Sequence, residues 1–186
     1  MSPDIDLFTL LSGMLGSSTS YSSPSINQAT PDSEHCAVQE DMPLYLEAAN
    51  LSNVVTKSTL RTLAKRFTHA LRSRFGIGAP GPNKDVVVVM TSGQPLVAAA
   101  FYSIIATDSV FSAASPSSTA TELAKQIRQR KGKLVICIPD LQQVAVEPAR
   151  MCEIGLDRVL VLQSRPKWGL NSVQGGFGVD CTQRVG

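Results

Sequence analysis

The sequence predicts an α/β protein built on a mostly parallel sheet with helices on both faces. Three observations carry that prediction. Four stretches, DVVVVM at 85–90, SVFSAA at 109–114, KLVICI at 133–138 and RVLVLQ at 158–163, have the length and composition of strands. The segments between them are apolar or amphipathic and long enough for helices. Strand and helix alternate without interruption from Asp85 to Gln163, as parallel strands joined by helical crossovers do.

The preceding residues form a separate region. The first twelve residues are mildly apolar, with Leu7 to Leu11 as their core. Residues 13–34, GMLGSSTSYSSPSINQATPDSE, are rich in Ser, Thr, Pro and Gly and lack periodicity. They read as a flexible insert. Globular sequence resumes near Met42, and a partial α/β subdomain is expected over 42–173, with an irregular tail over 174–186.

Residues 43–55, PLYLEAANLSNVV, suggest a short strand and turn. Thr56 or Ser58 can cap the next helix. In it Leu60, Leu63, Ala64, Phe67, Ala70, Leu71 and Phe75 recur at helical spacing, and Lys57, Arg61, Lys65, Arg72 and Arg74 occupy the opposite face. Gly76 stops it. After the first long strand, Pro95 suits a first helical turn. The helix that follows, LVAAAFYSIIAT, is apolar nearly all round and is expected to be buried on several sides. Thr119 and Glu122 form a capping box for ATELAKQIRQRKG, which Gly132 is expected to end. A last helix is expected over Val146–Glu153, closed at Gly155. Beyond Trp168 the period fades.

Composition narrows the functions available. The chain has 186 residues, enough for one domain with a sizeable core. Its net charge of +2 gives no field that selects nucleic acid or membrane. Asp4 and Asp6 stand where a secretory signal is positive. No apolar run approaches a membrane span, and the ending Arg184-Val185-Gly186 is no peroxisomal address. Cys36, Cys137, Cys152 and Cys181 fit no zinc spacing. Buried free thiols in a reducing, cytoplasmic setting are the expectation.

Candidate motifs are weak one by one. Gly76-Ile77-Gly78-Ala79-Pro80-Gly81 has the letters of a dinucleotide loop. It follows a helix rather than a strand, and Pro80 removes an N–H, so a helix-stop loop is the better reading. Thr91-Ser92-Gly93 ends a strand, where α/β proteins place function. Ser92 has neither His35 nor His69 placed as its base. The basic stretch Lys57–Lys84 is read as a solvated face rather than a phosphate-binding one.

Taken in order, however, several landmarks resemble the N-terminal part of the adenylate-forming (AMP-binding) superfamily, in the style of fungal acyl-CoA synthetases and 4-coumarate-CoA ligase-like enzymes. Thr56-Lys57-Ser58-Thr59-Leu60 resembles the T-Y-x-E-L helix start, and Lys84-Asp85-Val86-Val87 the G-D-x-V strand. Gly93-Gln94-Pro95, running into Phe101-Tyr102-Ser103-Ile104-Ile105-Ala106, is similar to the N-S-x-E…F-x-A-x-L-A segment. Val110 to Pro116, then Thr121 to Gln126, resemble V-x-x-P-L-N-P…E-L-x-x-Q. Lys133 to Cys137 resemble K-x-L-I-x. The likeness covers Pro43 to about Val173.

The resemblance implies a partial N-terminal subdomain of an AMP-dependent ligase. The parent reaction would be ATP-dependent adenylation of a carboxylic acid, followed by CoA thioester formation, with ATP, Mg²⁺ and CoA as cofactors. The family's phosphate loop, aromatic-x-T-E motif, ribose-binding aspartate and catalytic lysine find no match here. No residue is therefore assigned a catalytic, cofactor-binding or metal role, and the isolated chain is expected to be inactive. Where the family carries a glycine pair, this chain has Thr107-Asp108, a cost if that turn needs positive φ. Three other readings rank lower: an interaction module that pairs with an intact homologue, a hydrolase using Ser92, and a nucleic-acid binder. Self-association through exposed apolar surface is the one partner expectation.

Overall fold

The computed structural model describes residues 39–48, 50–78, 83–164, 169–176 and 178–180. Residues 1–38, with the apolar start, the insert, His35 and Cys36, lie outside the described residues, as do 79–82, Trp168 and 181–186.

The chain enters through a two-stranded antiparallel hairpin, β1 (Pro43–Glu47) and β2 (Asn50–Thr56). Thr56 ends β2 and caps helix α1 (Lys57–Phe75), its hydroxyl accepting from the Thr59 amide at 3.2 Å. Of the two cap candidates in the sequence the structure selects Thr56. The seven apolar positions read from helical spacing are all buried. Gly76 then takes φ 62°, a left-handed stop.

One cation of α1 departs from the expected solvated face. Lys57 is only 3% exposed. Its ammonium lies 3.4 Å from the Glu40 carboxylate, which also accepts two 3.0 Å bonds from Arg61. A buried charge needs such partners, and Glu40 is too far upstream in sequence for helical spacing to reveal it.

The main sheet contains β3 (Val86–Met90), β4 (Val110–Ala114), β5 (Gly132–Cys137), β6 (Val159–Gln163), β7 (Gly169–Ser172) and β8 (Gly178–Asp180). The spatial order is β4-β3-β5-β6-β7-β8, with the first four parallel and the last two antiparallel. Strand side chains alternate between two cores. Val87, Val89, Leu134, Ile136, Leu160 and Leu162 meet α1 and α2 (Leu96–Ala106). Val88, Met90, Val135, Cys137, Val159 and Val161 meet α3 (Ala120–Arg130) and α4 (Gln142–Met151). Burial on both faces explains the unbroken apolar runs. Each fully buried Leu or Ile contributes roughly 1.5–3 kcal/mol. The predicted α/β class, with helices on both faces, is the observed one.

Four details differ from the sequence reading. First, α3 keeps its capping box, but it ends at Arg130 with Lys131 in the left-handed region (φ 53°), and Gly132 opens β5 instead. A Cβ on Gly132 would press on Val88 Cγ2 at 3.0 Å, so that glycine answers to strand packing. Second, α4 starts four residues early because a 3-10 turn at Pro139–Leu141 runs directly into it. Its exit uses positive φ at Glu153 (58°), with Gly155 extended. Third, α2 is less enclosed than its composition suggests, since Phe101 is 41% exposed at the β4 edge. Fourth, β7 and β8 occupy a region without sequence period. They are four and three residues long, too short for a period to register, and β8 lies within the expected irregular tail.

Candidate functional site

In a doubly wound sheet, ligands sit outside the carboxyl ends of neighbouring strands whose connections leave to opposite faces. Here those strands are β3 and β5. The loop after β3 leads to α2 on one face, and the turn after β5 leads to α4 on the other. The candidate site is the crevice between Thr91–Pro95 and Ile138–Leu141.

Its residues are polar but few. Thr91 is half-buried, and Ser92, Gly93 and Asp140 are exposed. Gln94 reaches past β5 and donates from Nε2 to the Leu162 carbonyl at 3.2 Å. That bond fixes the β3 loop to the end of β6. Sequence reasoning read Gln94 only as part of a family landmark. Its anchoring role depends on β6 standing beside β5, which a linear reading does not show.

Ser92 gains no base. No hydrogen bond joins it to His69 among the described residues, and His69 lies exposed on α1. His69 lines a shallow, open recess of about 410 Å³ with Lys65, Thr68, Arg72 and Ser73. Thr68 and Arg72 are held by backbone carbonyls. The Thr68 hydroxyl donates to the Ala64 carbonyl at 2.7 Å, and Arg72 donates to the Ala106 carbonyl at 2.8 Å, at the carboxyl end of α2. With Lys57 and Arg61 on Glu40, much of the basic helix serves internal contacts.

Two cysteines, Cys137 and Cys152, lie among the described residues. Cys137 is fully buried, and desolvation pushes its thiol up to about 12, so it carries no thiolate near neutral pH. Cys152 is half-buried, with its sulfur 3.4 Å from the Ala124 carbonyl oxygen. Among the described residues no three His, Cys, Asp or Glu side chains come together as a metal site, and no helix is long and apolar enough to cross a membrane. The crevice can offer the hydroxyls of Thr91 and Ser92.

Comparison with known proteins gives this geometry a context. The chain is 42% identical over 152 residues to the "Putative acyl-coenzyme A synthetase" of Emericella nidulans. That stretch is 82% of this chain and 27% of the relative, so the chain spans about a quarter of the relative's length. ATP-bound MatB of Rhodopseudomonas palustris superposes with a TM-score of 0.50 at 19% identity, over 67% of this chain and 23% of MatB. The amide bond synthetase McbA of Marinactinospora thermotolerans gives 0.54 at 18% identity, over 75% of this chain and 24% of McbA. At such identities the two structures speak to the fold. No protein-family model matches the chain. The likeness to acyl-CoA synthetase-like, adenylate-forming proteins read from the ordered landmarks is borne out.

Proposed function

We propose that this relative of acyl-CoA synthetases supplies the first α/β subdomain of an AMP-dependent acid ligase and does not catalyse adenylation by itself. The parent reaction in this reading joins a carboxylic acid to AMP from ATP and then passes the acyl group to CoA. The observation that carries the reading is the 42% identity over 152 residues.

Adenylation brings a carboxylate against the α-phosphate of ATP. It therefore needs donors and cations held around developing negative charge. The β3–β5 crevice has Thr91 and Ser92, and among the described residues no group of His, Cys, Asp and Glu could hold a metal ion. In this reading ATP, Mg²⁺ and CoA belong to the longer protein, and the sheet described here is a support for it. Exposed Phe101 and Val110 at the β4 edge then form a surface for further chain or for self-association.

The test is ATP–pyrophosphate exchange by the 186-residue chain with a panel of aryl and fatty acids. Exchange at background for every acid is the expected result. Acid-dependent exchange above background overturns the proposal of inactivity.

A further inference from the structure

Helix α1 divides its basic residues between two places. Lys57 and Arg61 sit on Glu40 at the helix start. Further along, Lys65, His69, Arg72 and Ser73 line one open recess of about 410 Å³ together with Thr68. Steps of four, three and one residues keep those four on one face of the helix. From Lys65 to Arg72 the axis rises only about 10 Å, a separation that the long stems of these two side chains can close onto His69.

Arg72 is oriented for such a role. Its Nη2 donates to the Ala106 carbonyl at 2.8 Å, at the carboxyl end of α2. That bond uses one of the five N–H donors of a planar guanidinium and limits how the fork can swing. Thr68 spends its hydroxyl proton on the Ala64 carbonyl, so the donors come from the other four residues. Acidic competition is small. Residues 57–84 contain no Asp or Glu. At the junction after α2, Asp108 and Asp85 are already paired with Lys84 and Lys133.

We propose that this recess binds a phosphoryl group, as free phosphate or as a small phosphate monoester. A phosphoryl group presents at least three acceptor oxygens. They match an ammonium, an imidazole N–H, a guanidinium fork and the Ser73 hydroxyl, whereas a carboxylate has only two oxygens to share among them. The recess has the volume of a small-ligand pocket, and its open side leaves the rest of an ester in water. None of its residues belongs to the β3–β5 crevice, so the site stands independently of the ligase reading.

The test follows the imidazole signals of the full 186-residue chain by nuclear magnetic resonance at fixed pH and ionic strength. Inorganic phosphate, glycerol phosphate and acetate are titrated separately. The chain has two histidines, so His35 serves as an internal reference for His69. Phosphate is expected to shift the His69 signals saturably, with half-saturation on the order of millimolar. Tighter binding of glycerol phosphate would make the monoester the ligand, and equal or weaker binding would make it free phosphate. Lys65→Gln, at an exposed position, should weaken binding about fivefold, with the amide spectrum of the sheet unchanged. Arg74→Gln removes a charge from the same helix outside the recess and should leave the affinity as it is. A response that does not saturate overturns the proposal. So does equal weakening by the two variants, which would mean a diffuse positive field, or acetate binding as tight as phosphate.

Discussion

Gly78 lies so close to Thr107 that a Cβ added to it would overlap the Thr107 carbonyl oxygen. The glycine sits at φ +89°, a region that L side chains rarely enter. Its amide donates to Asp85 Oδ2 at 2.9 Å, and the other oxygen of that buried carboxylate lies 2.5 Å from Lys133 Nζ. The exit of α1, the start of β3, the end of α2 and the start of β5 thus meet at one point. That crowding accounts for the glycine at 78, and the left-handed helix stop accounts for the one at 76.

Gly78→Ala combines positive φ with a clash against backbone, which cannot swing aside. The expected cost is about 3 kcal/mol or more. Urea denaturation followed by circular dichroism measures it. A midpoint equal to the parent's would show that the loop can move away from Thr107.

Asp108 is the second strained point of the same junction. It follows Thr107 with φ 62°, where the resembled family carries a glycine pair. The Asp108 carboxylate pairs with Lys84, and both side chains are substantially exposed, so that pair returns little. Asp108→Gly is expected to stabilise the chain by roughly 0.5–1 kcal/mol. Asp108→Asn, which keeps the tolerance for this conformation but drops the charge, should stay near the parent. A drop in the urea midpoint for the glycine variant would mean that the Lys84 contact outweighs the backbone strain.

The strands of the parallel sheet were legible because burial on both faces leaves only apolar letters, as in Val86–Met90. Capping was legible where it is local, as in Thr119 with Glu122, whose side chain and amide bond each other. Other features depend on contacts between distant segments. Lys57 looked like a surface lysine until Glu40 was placed beside it, and Gly132 looked like a helix stop until Val88 was placed against it. The candidate crevice was half legible. Thr91-Ser92-Gly93 announced a strand end, while the β3–β5 pairing and the Gln94 anchor to Leu162 follow from strand order alone.

Glu40 makes the entry of α1 sensitive to acid. The Arg61 guanidinium, with a further contribution from Lys57, holds the Glu40 carboxyl below its ordinary value of 4.5. A carboxylate with a depressed folded pKa stabilises the fold above its unfolded value and loses that contribution as pH falls through the folded one. Glu40→Gln removes the charge at every pH and leaves buried Lys57 with one partner fewer. The melting temperature of the variant should therefore fall below the parent's near neutral pH. The gap should narrow as pH drops below about 4.5. Thermal melts across that range check this, and a gap independent of pH would locate the effect in packing.

Cys137 gives the opposite pH signature. Desolvation in the β5 core raises its thiol from an ordinary 9.0 to about 12. A group whose neutral form is favoured by folding contributes fully below its unfolded pKa and loses that contribution as pH rises through the folded one. Stability tied to Cys137 should therefore hold below about pH 9 and decline between 9 and 12. The same burial makes the thiol kinetically silent, because only thiolate attacks reagents and the native site offers neither thiolate nor access. In native protein at mildly alkaline pH, half-buried Cys152 should react with an aromatic disulfide at least about tenfold faster than Cys137. In denaturant the two should react alike. Peptide mass mapping after timed labelling distinguishes the sites. Rapid native labelling of Cys137 would show that the α4 side of the sheet opens far more often than its packing implies.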